Sequence, residues 1–405
     1  MAQSSTSERP AESIWSMPFV ILTMANFFQS MAAFTVNVKL PLYLDHLGTG
    51  AGFVGVIIGS FAISALLIRP FAGPAFDSFS RKKLLMAAQA IAVLSLFLYG
   101  VVASPYAVLV VRLLHGIGIG CVGPLSLSLL SEYLPPMRMA SGVSVYMLAQ
   151  SVAQVIGPAF GLWMTQSVGF SPTYFIAAAF LLLSVLSIAM VREIPRDKPP
   201  YQLRLGRMFA REAIDKAIVL ALFAAAFGGT TSYLVLYGTK LGIENLGIYF
   251  IVYAVCLIIT RPLYGRLADT FGAQRVLVPG VLCFATAYII LAHVNTLAGF
   301  VVVAIVASCG FGACVPLVQS LAMQAVPVER RGAASNTSYT GMDVGTLIGP
   351  MLAGGAIEVL TPVFGNQLEA YAHMWYVMLI PMAIAFVVII WWNVKQGRTI
   401  DTLNK

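Results

Sequence analysis

The sequence predicts an all-α integral membrane protein with twelve transmembrane helices in two pseudo-symmetric six-helix bundles. Three observations carry that prediction. Hydrophobic residues make up 59% of the 405 residues and charged ones 10%, with a mean hydropathy of +0.87, against about 25% charged in a typical soluble domain. The apolar residues fall into twelve runs, each close to the roughly 20 residues that a spanning helix needs. A charged frame then recurs in the second half, which is the mark of an internal duplication.

The runs lie near 15–38, 51–76, 83–104, 106–134, 139–165 and 171–191, then 213–239, 245–268, 275–294, 298–326, 332–357 and 372–394. They divide the chain into an N-terminal tail (1–14), a first bundle (15–191), a linker (192–212), a second bundle (213–394) and a C-terminal tail (395–405). The tail has no basic start followed by a short apolar core, so the first run is expected to remain as a span and not be cleaved. An even number of spans puts both termini on one side. Nineteen of the 24 Lys and Arg fall on that side, Lys39 and Lys240 on the other, and Arg69, Arg112 and Arg261 within spans. That bias predicts cytoplasmic termini and a multi-pass protein of the plasma membrane. The net charge of +8 is scattered through short loops, so topology accounts for it and no nucleic-acid partner is expected. All five Trp fall near span ends, as interfacial Trp should.

The stretch Arg69 to Lys83 returns as Arg261 to Arg275, 192 residues later, with Arg, Pro, Gly, Asp and Phe in register. At the same offset Gly118, Gly120, Pro124 and Ser128 match Gly310, Gly312, Pro316 and Ser320, and Gly157-Pro158 matches Gly349-Pro350. Parallel halves of this kind point to a transporter with its site near the midplane between them.

Gly73-x-x-x-Asp77-x-x-x-Arg81-Lys82 resembles the loop 2–3 motif of the major facilitator superfamily, with Ser78 and Ser80 departing from it. The second copy keeps Gly265, Asp269 and Gly272 but has Ala273-Gln274 for the basic pair. Arg112-Leu113-Leu114-His115-Gly116 is similar to the family's fourth-helix motif, with His115 at a common Gln position. Gly157-Pro158-Ala159-Phe160-Gly161 resembles the fifth-helix motif of its antiporters, with Leu162 for the last Gly. The resemblance implies the fold of that superfamily and its drug- and metabolite-efflux branch. It also implies that Asp77 latches onto the start of the eleventh span. Glu132, at the end of the fourth span, is placed to pair with Arg81. Gly73, Asp77, Arg81, Glu132, Gly157, Pro158, Gly265, Asp269, Gly349 and Pro350 are the expected gating residues. Gly-Pro inside a helix removes a backbone hydrogen bond and can bend it, while small residues allow close approach.

Charges within a span are costly and so point to function. Arg69 lies about 12 Å deeper than Asp77, Arg112 about 10 Å below the far surface and Asp343 about 18 Å in from Arg331. Asp343 is the one acid in the middle of a span, and its counterpart in the other half is Ser151. Asp343, Arg112 and His115 are therefore the proton-coupling candidates. Polar stripes at helical spacing give the cavity candidates Asn26, Gln29, Asn37, Arg69, Gln150, Gln154, Thr230, Tyr233, Tyr253, Arg261, Asn336 and Tyr339. No spacing suggests nucleophilic catalysis, a phosphate loop, a metal site or a cofactor, and Cys121, Cys256, Cys283, Cys309 and Cys314 read as small core residues.

These features predict a non-enzymatic secondary transporter that exports small molecules by alternating access with protons as the coupling ion, working as a monomer in the bilayer. The alternative is a carrier for an anionic or zwitterionic metabolite, such as a carboxylate or metallophore, by exchange or facilitated transport, since three buried Arg face one Asp. A non-transporting receptor would need no midplane polar stripes.

Overall fold

The computed structural model describes residues 13–135, 139–195, 200–201, 209–327 and 330–403. It is helical, with no strand among the described residues, and contains twelve helices or helix pairs long and apolar enough to cross a membrane. The first bundle comprises α1 (Met17–His46), α2 (Ala51–Ser78), α3 (Arg81–Val101), α4 (Pro105–Ile119), α5 (Val122–Leu130), α6 (Met139–Val168) and α7 (Phe170–Met190). The second comprises α8 (Ile214–Lys240), α9 (Gly247–Phe271), α10 (Ala273–His293), α11 (Leu297–Gln324), α12 (Arg331–Phe364), α13 (Gln367–Val377) and α14 (Leu379–Leu403). Two predicted spans are broken helices: α4 and α5 form the fourth, α13 and α14 the twelfth.

Helix starts follow ordinary capping chemistry. The hydroxyls of Ser16, Ser80 and Thr296 and the Asn366 side chain accept hydrogen bonds from the free N–H groups of α1, α3, α11 and α13. Large apolar side chains such as Leu67, Phe97, Val110, Leu186, Ile259 and Val387 are exposed on the helices. In water such a surface would be untenable; in lipid it is the expected exterior.

Small residues set the packing. On α12, Gly341, Gly345 and Gly349 recur every four residues and meet Ala217, Ala221 and Ala225 of α8, also spaced by four. A Cβ at Gly349 would lie 2.0 Å from the Ala225 carbonyl oxygen, so no side chain fits without separating the helices. In the first bundle Gly157 and Gly161 of α6 abut Phe34 and Thr35 of α1 in the same manner. Both Pro158 and Pro350 sit inside helices that continue through them. The Gly-Pro pairs therefore serve close approach along uninterrupted helices.

The two bundles meet along two symmetry-related contacts, α2 with α12 and α6 with α9, and also where α1 meets α8. The 192-residue offset maps α2 onto α9 and α12 onto α6. At the first contact Gly55 lies against the Pro350 carbonyl; at its mate Gly247 lies against Ala159.

Candidate functional site

The site is built on the seam between α2 and α12. Gly52, Gly55 and Gly59 give α2 a face without side chains, and onto it α12 presents Glu358 and the carbonyls of Pro350 and Leu347. Away from the termini three more links join the bundles. The Tyr233 hydroxyl of α8 donates to the Ala51 carbonyl at 2.6 Å. Lys240 pairs with Asp45 at 3.3 Å. The Glu358 carboxylate rests against the first turn of α2, where exposed N–H groups and the helix dipole favour negative charge.

Closer to the termini along the same seam, Arg69 Nη1 of α2 lies 2.8 Å from Asp343 Oδ2 of α12, with side-chain exposures of 15% and 19%. The Tyr339 ring stands 5.5 Å from the Arg69 guanidinium. This pair joins the bundles through a charge on each. Its mate would be Arg261 with Ser151, which lacks the carboxylate. Arg261 is exposed and lines a separate cavity.

Between these two levels lies a central cavity of about 200 Å³. The first bundle contributes Asn37, Arg112, Gln154 and Pro158; the second contributes Phe227, Thr230, Tyr249, Tyr253 and Pro350. On the second-bundle side the lining mixes aromatic with Ser and Thr residues; Phe227 stacks on Phe311 at 4.1 Å and Tyr249 on Tyr253 at 6.0 Å. Thr230 shares a 2.8 Å hydrogen bond with the Tyr288 hydroxyl. Arg112 is buried, donates from Nε to the Ile58 carbonyl at 3.4 Å, and stands over Phe61. His115, one turn further on, is buried edge-on between Phe61 and Tyr99 and does not line the cavity.

The remaining sequence candidates divide. Asn26 donates to the Tyr146 carbonyl at 2.9 Å, and Gln29 accepts from Gln89 at 2.7 Å, with Ser184 donating to Gln89 in turn. Both are satisfied inside the first bundle, since a polar stripe can bind neighbouring helices as readily as line water. Gln150 is exposed and lies away from the cavity lining. Asn336 and Tyr339 lie on α12, with Tyr339 at Arg69 and outside the central cavity. Gly73, Asp77 and Asp269 fall within α2 and α9, but the surroundings of Gly73 and the side chains of the two acids are outside the described residues.

Near the termini, Arg81 pairs with Glu132 at 2.9 Å and donates to the Ser128 carbonyl. Lys82 donates to the Ala189 and Val191 carbonyls at the end of α7. The same place in the second bundle has Ala273 for Arg81 and Gln324 for Glu132. What the first bundle fills with an ion pair is there a cavity of about 460 Å³, lined by Arg261, Gly265, Gln274, Ser320 and Gln324.

Sequence reasoning missed Lys39. Far from lying in a loop, it is buried in α1, donates to the Phe170 carbonyl and stands 4.0 Å from the Tyr174 ring. Its position so late in the apolar run made it look terminal. Of the aromatic lining, Tyr253 was expected from its polar stripe, but Phe227, Tyr249 and Phe250 were missed, because such residues in an apolar helix carry no signal separating cavity from core.

This architecture, with two duplicated six-span bundles enclosing a cavity, is that of a membrane transporter. The chain belongs to the major facilitator superfamily, whose family model matches residues 22–260 and 244–400. It is similar to a multi-drug resistance efflux pump PmrA homolog of Lactococcus lactis, with 26% identity over 84% of this chain and 89% of that protein. It is also similar to the quinolone resistance protein NorA of Staphylococcus aureus, with 22% identity over 79% and 84%. Among solved structures, a bacterial homolog of the human lysosomal transporter Spinster, inward-facing and unoccupied, has the same fold. It superposes with a TM-score of 0.77 at 16% identity, over 94% of this chain and 97% of that one.

Proposed function

We propose that this transporter exports small molecules from the cytoplasm by proton antiport, with Asp343 as the coupling carboxylate. The observation that carries the reading is the Arg69–Asp343 pair at 2.8 Å between the bundles. It lies on the termini side of the central cavity, and the Lys/Arg bias argues that this side is cytoplasmic. An ionised Asp343 holds Arg69 and closes the cytoplasmic side, leaving bound substrate to exit outward. A proton arriving from outside neutralises Asp343, removes the attraction and lets the cytoplasmic side open. Substrate entry and proton loss then restore the pair. One proton in for one substrate out follows from having a single switching carboxylate.

The fold supports this cycle because every other cross-bundle link described is neutral or sits at the far mouth, as Lys240–Asp45 does. Domain boundaries at 15–191 and 213–394, cytoplasmic termini and function as a monomer belong to the same reading. The test is reconstitution into proteoliposomes with an imposed pH gradient and a panel of cationic, neutral and anionic solutes. Wild-type protein should move at least one solute against its concentration and stop when the gradient is collapsed. Asp343→Asn should lose gradient-driven accumulation; wild-type rates and pH dependence in that variant would rule Asp343 out.

A further inference from the structure

The central cavity carries a charge preference. Arg112 is 5% exposed, lines the cavity, and has no carboxylate within ion-pair distance among the described residues. Its Nη1 makes no hydrogen bond. A guanidinium buried in a membrane span without a counter-charge is a costly arrangement that points to an external partner. A second orphan lies in the same lining: the Tyr253 hydroxyl, in a residue 5% exposed, is also without a partner. None of the described lining residues is acidic. A permanently cationic ligand would therefore meet Arg112 with no carboxylate to offset the repulsion, only the weaker attraction of aromatic faces.

The second-bundle wall carries four aromatic residues among its Ser and Thr residues, and Phe227, Tyr249, Phe250 and Tyr253 supply faces and edges that favour a flat ring by stacking or edge contact. The volume of about 200 Å³ is below the roughly 300–1,000 Å³ of drug-sized sites, so the ligand is compact.

We propose that the cavity is a binding site for a compact aromatic oxyanion, one ring or two fused rings bearing a carboxylate or sulfonate. Arg112 receives the oxyanion in the two-pronged geometry that suits a guanidinium. The Tyr253 hydroxyl donates to the same group or to a ring substituent. The ring lies against Phe227 and Tyr249. The site is assigned within the transport reading above, but its chemistry is tested by binding alone.

The experiment uses the purified full-length protein and three probes in equilibrium dialysis. These are naphthalene-1-sulfonate, a naphthylmethyl-trimethylammonium cation of similar size, and decalin-sulfonate, which keeps the charge without the aromatic ring. A sulfonate stays ionised and does not leak through lipid as a weak acid would, so the same probe serves for flux. The expected result is that naphthalene-1-sulfonate binds at least tenfold more tightly than either comparison probe. Arg112→Gln should weaken it at least tenfold and abolish the preference over the cation, Arg112→Lys should retain part of the affinity, and Tyr253→Phe should weaken it several-fold. Equal or tighter binding of the cation overturns the proposal, and so does unchanged affinity in Arg112→Gln. Equal binding of the two sulfonates overturns the aromatic part. If Arg112→Gln fails to fold, the wild-type ranking of the probes and the Tyr253→Phe result decide. Sulfonate binding without gradient-driven flux of any solute would remove the export reading and leave this site standing. Gradient-driven flux of cations with no sulfonate binding would do the reverse.

Discussion

Asp343 and Arg69 are each other's solvent. Neither has another charged partner among the described residues, and both sit where water is scarce, so each is tolerable only because of the other. Removing one partner of a buried pair typically costs about 3–5 kcal/mol, whereas replacing both with neutral groups is far milder. Partial exposure reduces the figure here but not its direction. Arg69→Gln should therefore lower the thermal unfolding temperature in detergent more than the Arg69→Gln/Asp343→Asn double variant does. A double variant as destabilised as the sum of the two single ones would mean the residues do not interact. Elsewhere neutral pairs do comparable holding work: Gln29, Gln89 and Ser184 tie three helices of the first bundle without any charge.

Among the helices, α12 carries the most roles. One face is pressed on α8 by glycines, another on α2 through the seam, and between them it carries Asp343. Gly349→Ala places a Cβ 2.0 Å from a backbone carbonyl of α8, which cannot move aside as a flexible side chain would. Gly355, on the same helix, has nothing within 4 Å of such a Cβ, and alanine is the better helix former by roughly 0.5–1 kcal/mol. Gly349→Ala should lower the unfolding temperature by several degrees and Gly355→Ala should hold or raise it; equal shifts would contradict the packing described. The spans themselves could be read from length and hydropathy, because burial in lipid leaves few alternatives for twenty apolar residues. The repeat was legible because duplicated charges are rare in such a chain. The breaks between α4 and α5 and between α13 and α14 were not, since tertiary contacts decide where a helix stops within an apolar run. At the site, the charges Arg69, Arg112 and Asp343 announced themselves by their cost. Which of them pair did not, and neither did the turn of Asn26 and Gln29 into the bundle, because facing depends on how helices rotate against their neighbours.

Across the whole molecule, the duplication supplies two equivalent contacts between bundles and the sequence has made them unequal. The α2–α12 contact carries an ion pair; its mate has Ser151 where the acid would be. The loop after α2 has an Arg81–Glu132 pair, while the loop after α9 has Ala273, Gln324 and an open cavity. Symmetry thus provides the rocking geometry, and its loss places the switch on one side of it. The claim that protonation of Asp343 releases the bundles is tested most directly by measuring the distance between spin labels on Lys83 and Thr270, which are exposed near the termini on opposite bundles. Pulsed electron paramagnetic resonance would compare wild-type protein with Asp343→Asn at high and low pH. Wild-type protein should shift to a longer distance as pH falls, and Asp343→Asn should show the longer distance at both. Identical distributions in the two proteins, responding alike to pH, would contradict it.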